Sequence, residues 1–246
     1  MEFGNSEEMT ASKYLIVNAD DFGQSAGINR GIIKAHERGV VTSTSLMVRW
    51  PAALDAAQYA RVHQELSVGL HLDFGEWIYR GDRWQPLYEV ISVDDDRIEV
   101  VNEIVHQLEK FRSLVGREPT HIDSHQHVHH REPARSIVME IANDLGVPLR
   151  SCNSEARYVG GFYGQTAEGL SLPDVISVNG LIKILRELPD GVSELGCHPG
   201  FADGLDTMYK SERTEEIKVL CDAWIKEAIG AMGIELCSFA DLPAKV

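Results

Sequence analysis

Short apolar runs rich in β-branched residues alternate with longer amphipathic segments along almost the whole chain. Runs of the first kind predict buried strands, and segments of the second kind predict helices that pack one face against them. Seven segments predict strands: 13–19, 40–48, 66–74, 119–125, 147–153, 193–201 and 234–239. Strands that alternate with helices in this way are typical of a parallel sheet with the helices outside it.

Residues that favour helix ends support the helices between these strands. Ser25 suits the N-cap of the helix after the first strand, and Pro51 suits the first turn of the second helix. Gly116 is placed to end a long helix over 100–115. Further helices are predicted over three segments: 133–146, 178–188 and 211–230.

Composition does not shift anywhere between residues 13 and 246, which predicts a single domain there. Residues 1–12 are polar and are expected to be disordered or derived from cloning. Six or seven strand–helix units in one domain favour a barrel-like (β/α) closure over an open doubly wound sheet. The stretch after the first strand also lacks the G-x-G-x-x-G of dinucleotide-binding folds. Two segments show no clear pattern, a polar excursion over 75–98 and a glycine-rich loop over 154–175.

Composition narrows the possible partners. The 246 residues carry a formal net charge of −15, which argues against a nucleic-acid partner because phosphate binding needs clustered Lys and Arg. No apolar run approaches the roughly 20 residues of a membrane span, so no membrane partner is expected. The four widely spaced cysteines and the polar start favour a reduced, cytoplasmic protein. No heptad pattern or extra apolar stripe marks an interface, and a homo-oligomer stays open.

Ionisable residues gather where the predicted strands end. In a parallel barrel, active-site groups lie at the carboxyl ends of strands and on the loops just after them. Five predicted strands end in this way, with the following groups: Asp20 and Asp21, His71 and Asp73, His121 to His130, Arg150, and His198. A constellation on five different strands predicts one active site at that end of the barrel.

The stretch "HIDSHQHVHH" over 121–130 holds half of the ten histidines. If it is extended, its alternate residues share one face: His121, Asp123, His125, His127 and His129. Nine residues of strand span roughly 30 Å, so these side chains cannot all reach one metal ion. One or two are expected to be ligands, and the others orient them, contact a substrate or lie at the surface.

The pair Asp20–Asp21 has two interpretations. Adjacent residues on a strand point to opposite faces, so both enter one site only if the chain turns there, as Gly23 would allow. One carboxylate could then bind a metal while its neighbour accepts a proton; a role in starting the next helix is equally open. One carboxylate and two imidazoles with open positions for water form a catalytic metal set, which predicts a metal-dependent hydrolase.

Five motifs together resemble a known family. The stretches "IVNADDFGQSAGINRGII", "VTSTSLMV", "VGLHLDF", "PTHIDSHQHVH" and "CHPGF" occur in order between residues 16 and 201. They are similar to the YdjC-like carbohydrate deacetylases, which include chito-oligosaccharide deacetylases. The resemblance implies a distorted (β/α) barrel with parallel strands and outer helices, like that of polysaccharide deacetylases. It also implies one divalent metal ion (Zn, Mg, Ni or Co) and hydrolysis of an N-acetyl group from a small amino sugar.

The resemblance also implies roles for single residues. It assigns metal binding to Asp21, His71 and His125, it makes Asp20 the candidate general base, and it makes His198 the candidate acid for the leaving amine. Three further polar residues are expected to orient these groups or to contact the sugar: Asp123, His127 and Arg150. Four aromatic residues are candidates for stacking on sugar rings, or for the core or surface: Trp50, Trp77, Trp84 and Tyr163.

Two alternatives remain beside the deacetylase. A metal-dependent hydrolase of a phosphoester would need basic residues near the mouth of the site, where Arg150 is the only obvious one. A sugar-binding barrel without activity would be marked by loss of the Asp pair or of a metal-binding histidine, and both are present. Substrate choice is expected to depend on the segments 75–98 and 154–175, which carry no matched motif.

Overall fold

Seven parallel strands and one antiparallel hairpin form the sheets of a computed structural model, which describes residues 13–92, 96–201 and 203–242. The predicted N-terminal segment 1–12 lies outside the described residues. The parallel strands are β1 (Lys13–Phe22), β2 (Ser43–Leu46), β3 (Ser67–Leu72), β6 (Ile122–Ser124), β7 (Arg157–Val159), β8 (Gly191–Cys197) and β9 (Ile234–Cys237). The hairpin consists of β4 (Gly75–Tyr79) and β5 (Trp84–Glu89).

The sheet has the order β6-β3-β2-β1-β8-β7, and all its pairs within the described residues are parallel. Strand β9 pairs with the first half of β1, from Lys13 opposite Ile234, while β2 pairs with the second half. One apolar cluster between the sheet and the helices includes residues from Leu15 to Ile234. This parallel arrangement with outer helices confirms the distorted (β/α) barrel.

Seven helices cover the sheet within the described residues: α1 (Ala26–Arg38), α2 (Ala53–Val62), α3 (Arg97–Val115), α4 (Ala134–Leu145), α5 (Val178–Arg186), α6 (Ser211–Leu220) and α7 (Ala223–Ala231). The Ser25 hydroxyl caps α1 by accepting a hydrogen bond from Ile28 N, and Gly116 ends α3 with a left-handed φ of 80°. Helix α2 begins two residues after Pro51, which lies in the preceding turn. None of the described helices is both long enough and apolar enough to cross a bilayer.

Several sequence predictions of local structure were wrong, among them the loop over 154–175, which contains strand β7. Only Leu149 of the predicted strand 147–153 bridges to the sheet, opposite Ile122, because the chain turns at once and Ser151 has a φ of 58°. The predicted helix over 211–230 is two helices, since the Asp222 carboxylate accepts a hydrogen bond from Trp224 N and starts a new one. The stretch 75–98, predicted to be an irregular polar segment, contains the β4–β5 hairpin. Residues 93–95 of this stretch lie outside the described residues.

The histidine run also departs from the extended form. Strand β6 ends at Ser124, and His125–His130 form a 3₁₀ turn. Gln126 and His127 have φ values of 50° and 54°, which reverse the direction of the chain. The period-two alternation therefore stops before His125, and the five histidines reach different surroundings.

His121 lies fully buried in the core. Its ring stacks on Phe239 with centroids 3.9 Å apart, in space that Gly69 leaves open. Burial lowers the pKa of His121 to about 3. The folded protein therefore keeps this ring neutral at pH values at which the unfolded chain is protonated.

This difference predicts a loss of stability in acid. The pKa of His121 is lower in the folded state, so its contribution is complete above the unfolded pKa near 6.5 and falls as pH drops towards 3. Between pH 7 and pH 4.5 the loss from this group is expected to be about 2–3 kcal/mol. His121→Phe should keep the stack and remove the titration. Urea unfolding at both pH values should show a smaller acid-induced loss for His121→Phe than for the wild type; equal losses would contradict the assignment.

Candidate metal centre and active site

An open cavity of about 390 Å³ lies where the parallel strands end. Asp20 and Asp21 enter it from β1 and His71 from β3, while His125 follows β6 and His198 follows β8. Four of the predicted strand ends therefore converge on one cavity. This is the geometry that a parallel barrel gives to its active site.

Asp21, His71 and His125 form a candidate metal-binding set. One ligand atom from each lies within 4.8 Å of the others. Asp21 Oδ1 lies 3.3 Å from His71 Nε2 and 3.0 Å from His125 Nδ1. His71 Nε2 and His125 Nε2 are buried without a hydrogen-bond partner. The Asp21 carboxylate, the unpartnered Nε2 of His71 and the Nδ1 of His125 that faces Asp21 fit a divalent transition metal such as zinc.

A local turn brings both aspartates into the cavity. Asp21 has a φ of 70°, and the pairing of β1 with β2 shifts between Ala19 and Phe22. The turn therefore begins at Asp21 itself, two residues before Gly23. Arg213 of α6 donates a hydrogen bond to Asp21 Oδ2 at 2.7 Å. Burial alone would raise the pKa of Asp21, but Arg213 and His125 hold it well below its usual range.

Asp20 is held by a buried guanidinium. Arg150 Nη1 and Nη2 donate to the two oxygens of Asp20 at 2.7 and 2.8 Å, and Asn18 Nδ2 donates at 2.9 Å. Burial acts to raise the pKa of Asp20, but the charge and hydrogen bonds of Arg150, together with the charge of His71, hold it below its usual value. The carboxylate is therefore ionised and fixed in orientation. Arg150 is buried and does not line the cavity, so its contact with Asp20 holds that carboxylate from behind the site.

Arg150 also contacts two more buried carboxylates. Its Nη2 lies 2.8 Å from Asp123 Oδ2, and its Nε donates to Glu194 Oε1 at 2.6 Å. Burial raises the pKa of Glu194 to about 7, although Arg150 opposes this. The Arg150 guanidinium therefore contacts three buried carboxylates, those of Asp20, Asp123 and Glu194.

Asp123 orients one of the candidate ligands. Its Oδ1 lies 2.7 Å from His71 Nδ1, so the other nitrogen of the ring faces Asp21. A carboxylate that binds the far nitrogen of a ligand histidine fixes its tautomer and orientation. Burial would lower the pKa of His71, but Asp123 raises it to about 10. The surroundings thus favour positive charge at this place, either a proton on the ring or a bound cation.

His198 lies next to Asp20 in the same cavity. Its Nε2 is 3.9 Å from Asp20 Oδ2, and its Nδ1 is buried without a hydrogen-bond partner. Burial lowers the pKa of His198 to about 4, so the ring is neutral near pH 7. Glu216 accepts a hydrogen bond from the His198 main-chain nitrogen and another from the Tyr209 hydroxyl, which fixes this loop.

The other histidines of the run have separate surroundings. His127 lines the cavity with Nε2 3.4 Å from the Tyr158 hydroxyl. His129 contacts Ser124 Oγ with one ring nitrogen and the main-chain oxygen of Arg150 with the other, at 2.6 and 3.1 Å. Ring nitrogens of His127, His129 and His130 approach within 4.8 Å of one another. Because both nitrogens of His129 are engaged, these three rings do not form a second metal-binding set.

The hairpin forms one wall of the cavity. Trp77 and Trp84 of the hairpin line the cavity, as does Tyr163 of the glycine-rich loop. Trp50 lies elsewhere and donates its Nε1–H to Asp73. Asp73 also accepts hydrogen bonds from Gly75 N and the Tyr88 hydroxyl, so it anchors the hairpin.

Sequence reasoning missed several residues of this site. Arg213 comes from helix α6, and Glu76 comes from the hairpin that the polar pattern concealed. Gln126 was also missed, because it stands between His125 and His127 in the histidine run. Its side chain makes two hydrogen bonds to the main chain of Trp77. Arg213 has no strand-end signal, whereas Glu76 follows β3 closely enough for its position to have indicated the cavity.

The fold and the site together define a parallel barrel of the kind seen in polysaccharide deacetylases. A family 4 carbohydrate esterase from Streptomyces lividans, solved with acetate, has the same fold with a TM-score of 0.54 and 12% sequence identity, over 93% of this chain and 92% of that one. A nearer structure comes from Enterococcus faecalis V583 and carries the provisional name of cellobiose-phosphate cleavage protein. It has a TM-score of 0.75 and 28% identity, over 94% of this chain and 98% of that one.

The family model of the YdjC-like proteins matches residues 14–231, and the chain belongs to this family. The carbohydrate deacetylase of Geobacillus stearothermophilus is 32% identical, over 93% of this chain and 98% of its own length. The chitooligosaccharide deacetylase of Serratia marcescens is 34% identical, over 94% of this chain and 99% of its own length.

Proposed function

We propose that the protein is a metal-dependent hydrolase that removes an N-acetyl group from an amino sugar or a short N-acetylated oligosaccharide. The single observation that carries this proposal is the position of Asp20, which lies in the same cavity as Asp21, His71 and His125. A held carboxylate beside a metal-binding set suits the activation of water. The names of the curated relatives support the same class of reaction.

Asp21, His71 and His125 would hold the ion. A divalent ion bound there would lower the pKa of water and polarise the acetamide carbonyl. Asp123 keeps His71 turned towards the site, and Arg213 holds the outer oxygen of Asp21. These contacts fix the donor atoms before any ion arrives.

Asp20 would act as the general base. Arg150 keeps the carboxylate ionised and locks its orientation through two hydrogen bonds, so it is ready to accept a proton from the attacking water. His198 Nε2 lies 3.9 Å from Asp20 Oδ2, so the proton would pass onward through a bridging water or after a small approach of the ring.

His198 would protonate the amine as it leaves. A neutral imidazole is a weak acid, and the lowered pKa of His198 means that it needs a proton from a neighbour. Asp20, once protonated by water, can supply it. The net reaction consumes one water and yields acetate and the free amine of the sugar.

Aromatic side chains give the cavity a sugar-binding character. Trp84 is half exposed and Tyr163 stacks on Tyr209 with centroids 4.3 Å apart. With Trp77 they would present flat apolar faces, which suit the apolar faces of sugar rings. We infer that the hairpin and the glycine-rich loop set the choice of substrate.

Acetate release from N-acetylglucosamine, di-N-acetylchitobiose and longer chito-oligosaccharides tests the proposal. The protein would be stripped of metal by a chelator and reloaded with Zn, Ni, Co, Mn or Mg. We expect no release from the stripped protein and recovery with at least one of these metals. Hydrolysis of a simple phosphoester without acetate release from any of the sugars would contradict the proposed reaction.

A further inference from the structure

Both candidate ligand histidines lie between Asp21 and a second carboxylate. His71 faces Asp21 with Nε2 at 3.3 Å and Asp123 with Nδ1 at 2.7 Å. His125 faces Asp21 with Nδ1 at 3.0 Å, and its Nε2 lies 3.8 Å from Glu76 Oε2. The two rings are thus held in matching ways, although different nitrogens face Asp21.

Glu76 is a buried acid that none of the proposed steps uses. Only 6% of its side chain is exposed, and its Oε1 accepts a hydrogen bond from Thr207 Oγ1 at 2.7 Å. The other two carboxylates that line the cavity, Asp20 and Asp21, each contact an arginine. Within the described residues no salt bridge joins Glu76 to a lysine or arginine, and His125 is the base within 4 Å of its carboxylate.

We propose that Glu76 is the positioning residue of His125. It draws the Nε2–H of His125 towards itself and leaves Nδ1 as the nitrogen that binds the metal. A carboxylate in this role fixes the ring orientation and raises the basicity of the ligand. The inference rests on the proposed metal site and adds a residue that lies outside the five sequence motifs.

Hydrogen bonds between the hairpin and the turn after β6 hold Glu76 close to His125. Gln126, which follows His125, makes two hydrogen bonds to the main chain of Trp77, which follows Glu76. Its Oε1 accepts from Trp77 N at 2.9 Å, and its Nε2 donates to Trp77 O at 2.8 Å. The residues that follow His125 and Glu76 are therefore bonded to each other. On the far side, Met208 Sδ accepts a hydrogen bond from Tyr79 N. Hydrogen bonds thus join the β4–β5 hairpin, which lines the cavity, to the turn over His125–His130, which carries the candidate ligand.

The decisive experiment measures metal affinity in the absence of substrate. Glu76→Gln keeps the shape and the contact with Thr207 but removes the charge that attracts the His125 N–H. We expect the Kd for zinc, measured by competition with a chromogenic chelator, to rise about 10- to 100-fold. Glu89→Gln removes the same charge from the exposed strand of the same hairpin and should leave the Kd unchanged. An unchanged Kd in Glu76→Gln would overturn the inference.

A second variant covers a failure of Glu76→Gln to fold. Thr207→Val leaves the charge in place and removes only the hydrogen bond to Glu76, so the Kd should rise by a smaller factor than in Glu76→Gln. If Thr207→Val folds and binds zinc as the wild type does, and Glu76→Gln does not fold, the positioning role is rejected.

The nitrogen that binds the metal provides a direct spectroscopic test. Long-range ¹H–¹⁵N spectra of the zinc-loaded wild type should show His125 bound through Nδ1 and protonated at Nε2. Binding through Nε2 would overturn the inference. Wild-type protein that binds none of Zn, Ni, Co, Mn and Mg would instead contradict the proposed function, so the two failures are distinguishable. An unchanged Kd with a raised KM in Glu76→Gln would show that Glu76 contacts the sugar and not His125.

Discussion

His125→Ala is expected to abolish acetate release, whereas His130→Ala in the same turn leaves it close to the wild-type rate. His125 lies 3.0 Å from Asp21 and points into the cavity, whereas His130 is exposed. Loss of an outer group around a metal typically costs about 10- to 100-fold in affinity, so loss of a ligand should cost more than that. The measurements are zinc stoichiometry, zinc Kd and acetate release for both variants.

His130→Ala serves as the matched control because it removes an imidazole from the same short turn. If the two variants lose the same activity, the loss belongs to the turn and the assignment of His125 as a ligand is wrong. If His125→Ala keeps full zinc affinity, the donor set must be sought elsewhere in the cavity.

Asp20→Asn is expected to lower the rate of acetate release by about 10²–10⁴-fold while zinc still binds. The amide cannot accept the proton of water as a carboxylate does, although it occupies nearly the same space beside Arg150. Asp20 is not one of the three residues assigned to the metal, so zinc stoichiometry should stay at the wild-type value. Single-turnover and steady-state assays with the zinc-loaded variant give the rate, and KM should change less than kcat.

Asp206→Asn is the control for Asp20→Asn. Asp206 is an exposed acid directly before Thr207 of the cavity lining, and it lies 3.8 Å from Arg80 and from Lys210. Its replacement removes one negative charge near the mouth without touching the reacting groups, and the rate should not change. A rate for Asp20→Asn within a few-fold of the wild type would show that another group takes the proton.

The residues at strand ends could be predicted from the sequence because the carboxyl ends of parallel strands must converge. Asp21, His71 and His125 come from three separate stretches, and the fold brings their ligand atoms within 4.8 Å of one another. Their roles as ligands, and those of Asp20 and His198 in catalysis, stay predictions until the variants are measured. The barrel itself followed from the alternation of strands and helices and is confirmed.

What the sequence concealed depends on long-range packing or on unusual backbone angles. Arg213 reaches Asp21 across 192 positions, and no local pattern announces such a contact. Gln126 and His127 adopt positive φ values without being glycine, so the alternation of the histidine run gave the wrong geometry. The hairpin is half exposed along β5, so its apolar pattern is too weak to stand out from a polar loop.

The contacts of Arg150 have a consequence for the folded protein as a whole. Asp20, Asp123 and Glu194 share this single guanidinium, and Asp21 contacts Arg213, so these buried acids outnumber the buried arginines around Asp20. A divalent cation would supply there the positive charge that protons on His71 and His125 supply in its absence. An ion that activates water would then also stabilise the folded state. The metal-free protein would have the lower free energy of unfolding. Quality control in the cell would in that case remove preferentially the molecules that have failed to acquire metal.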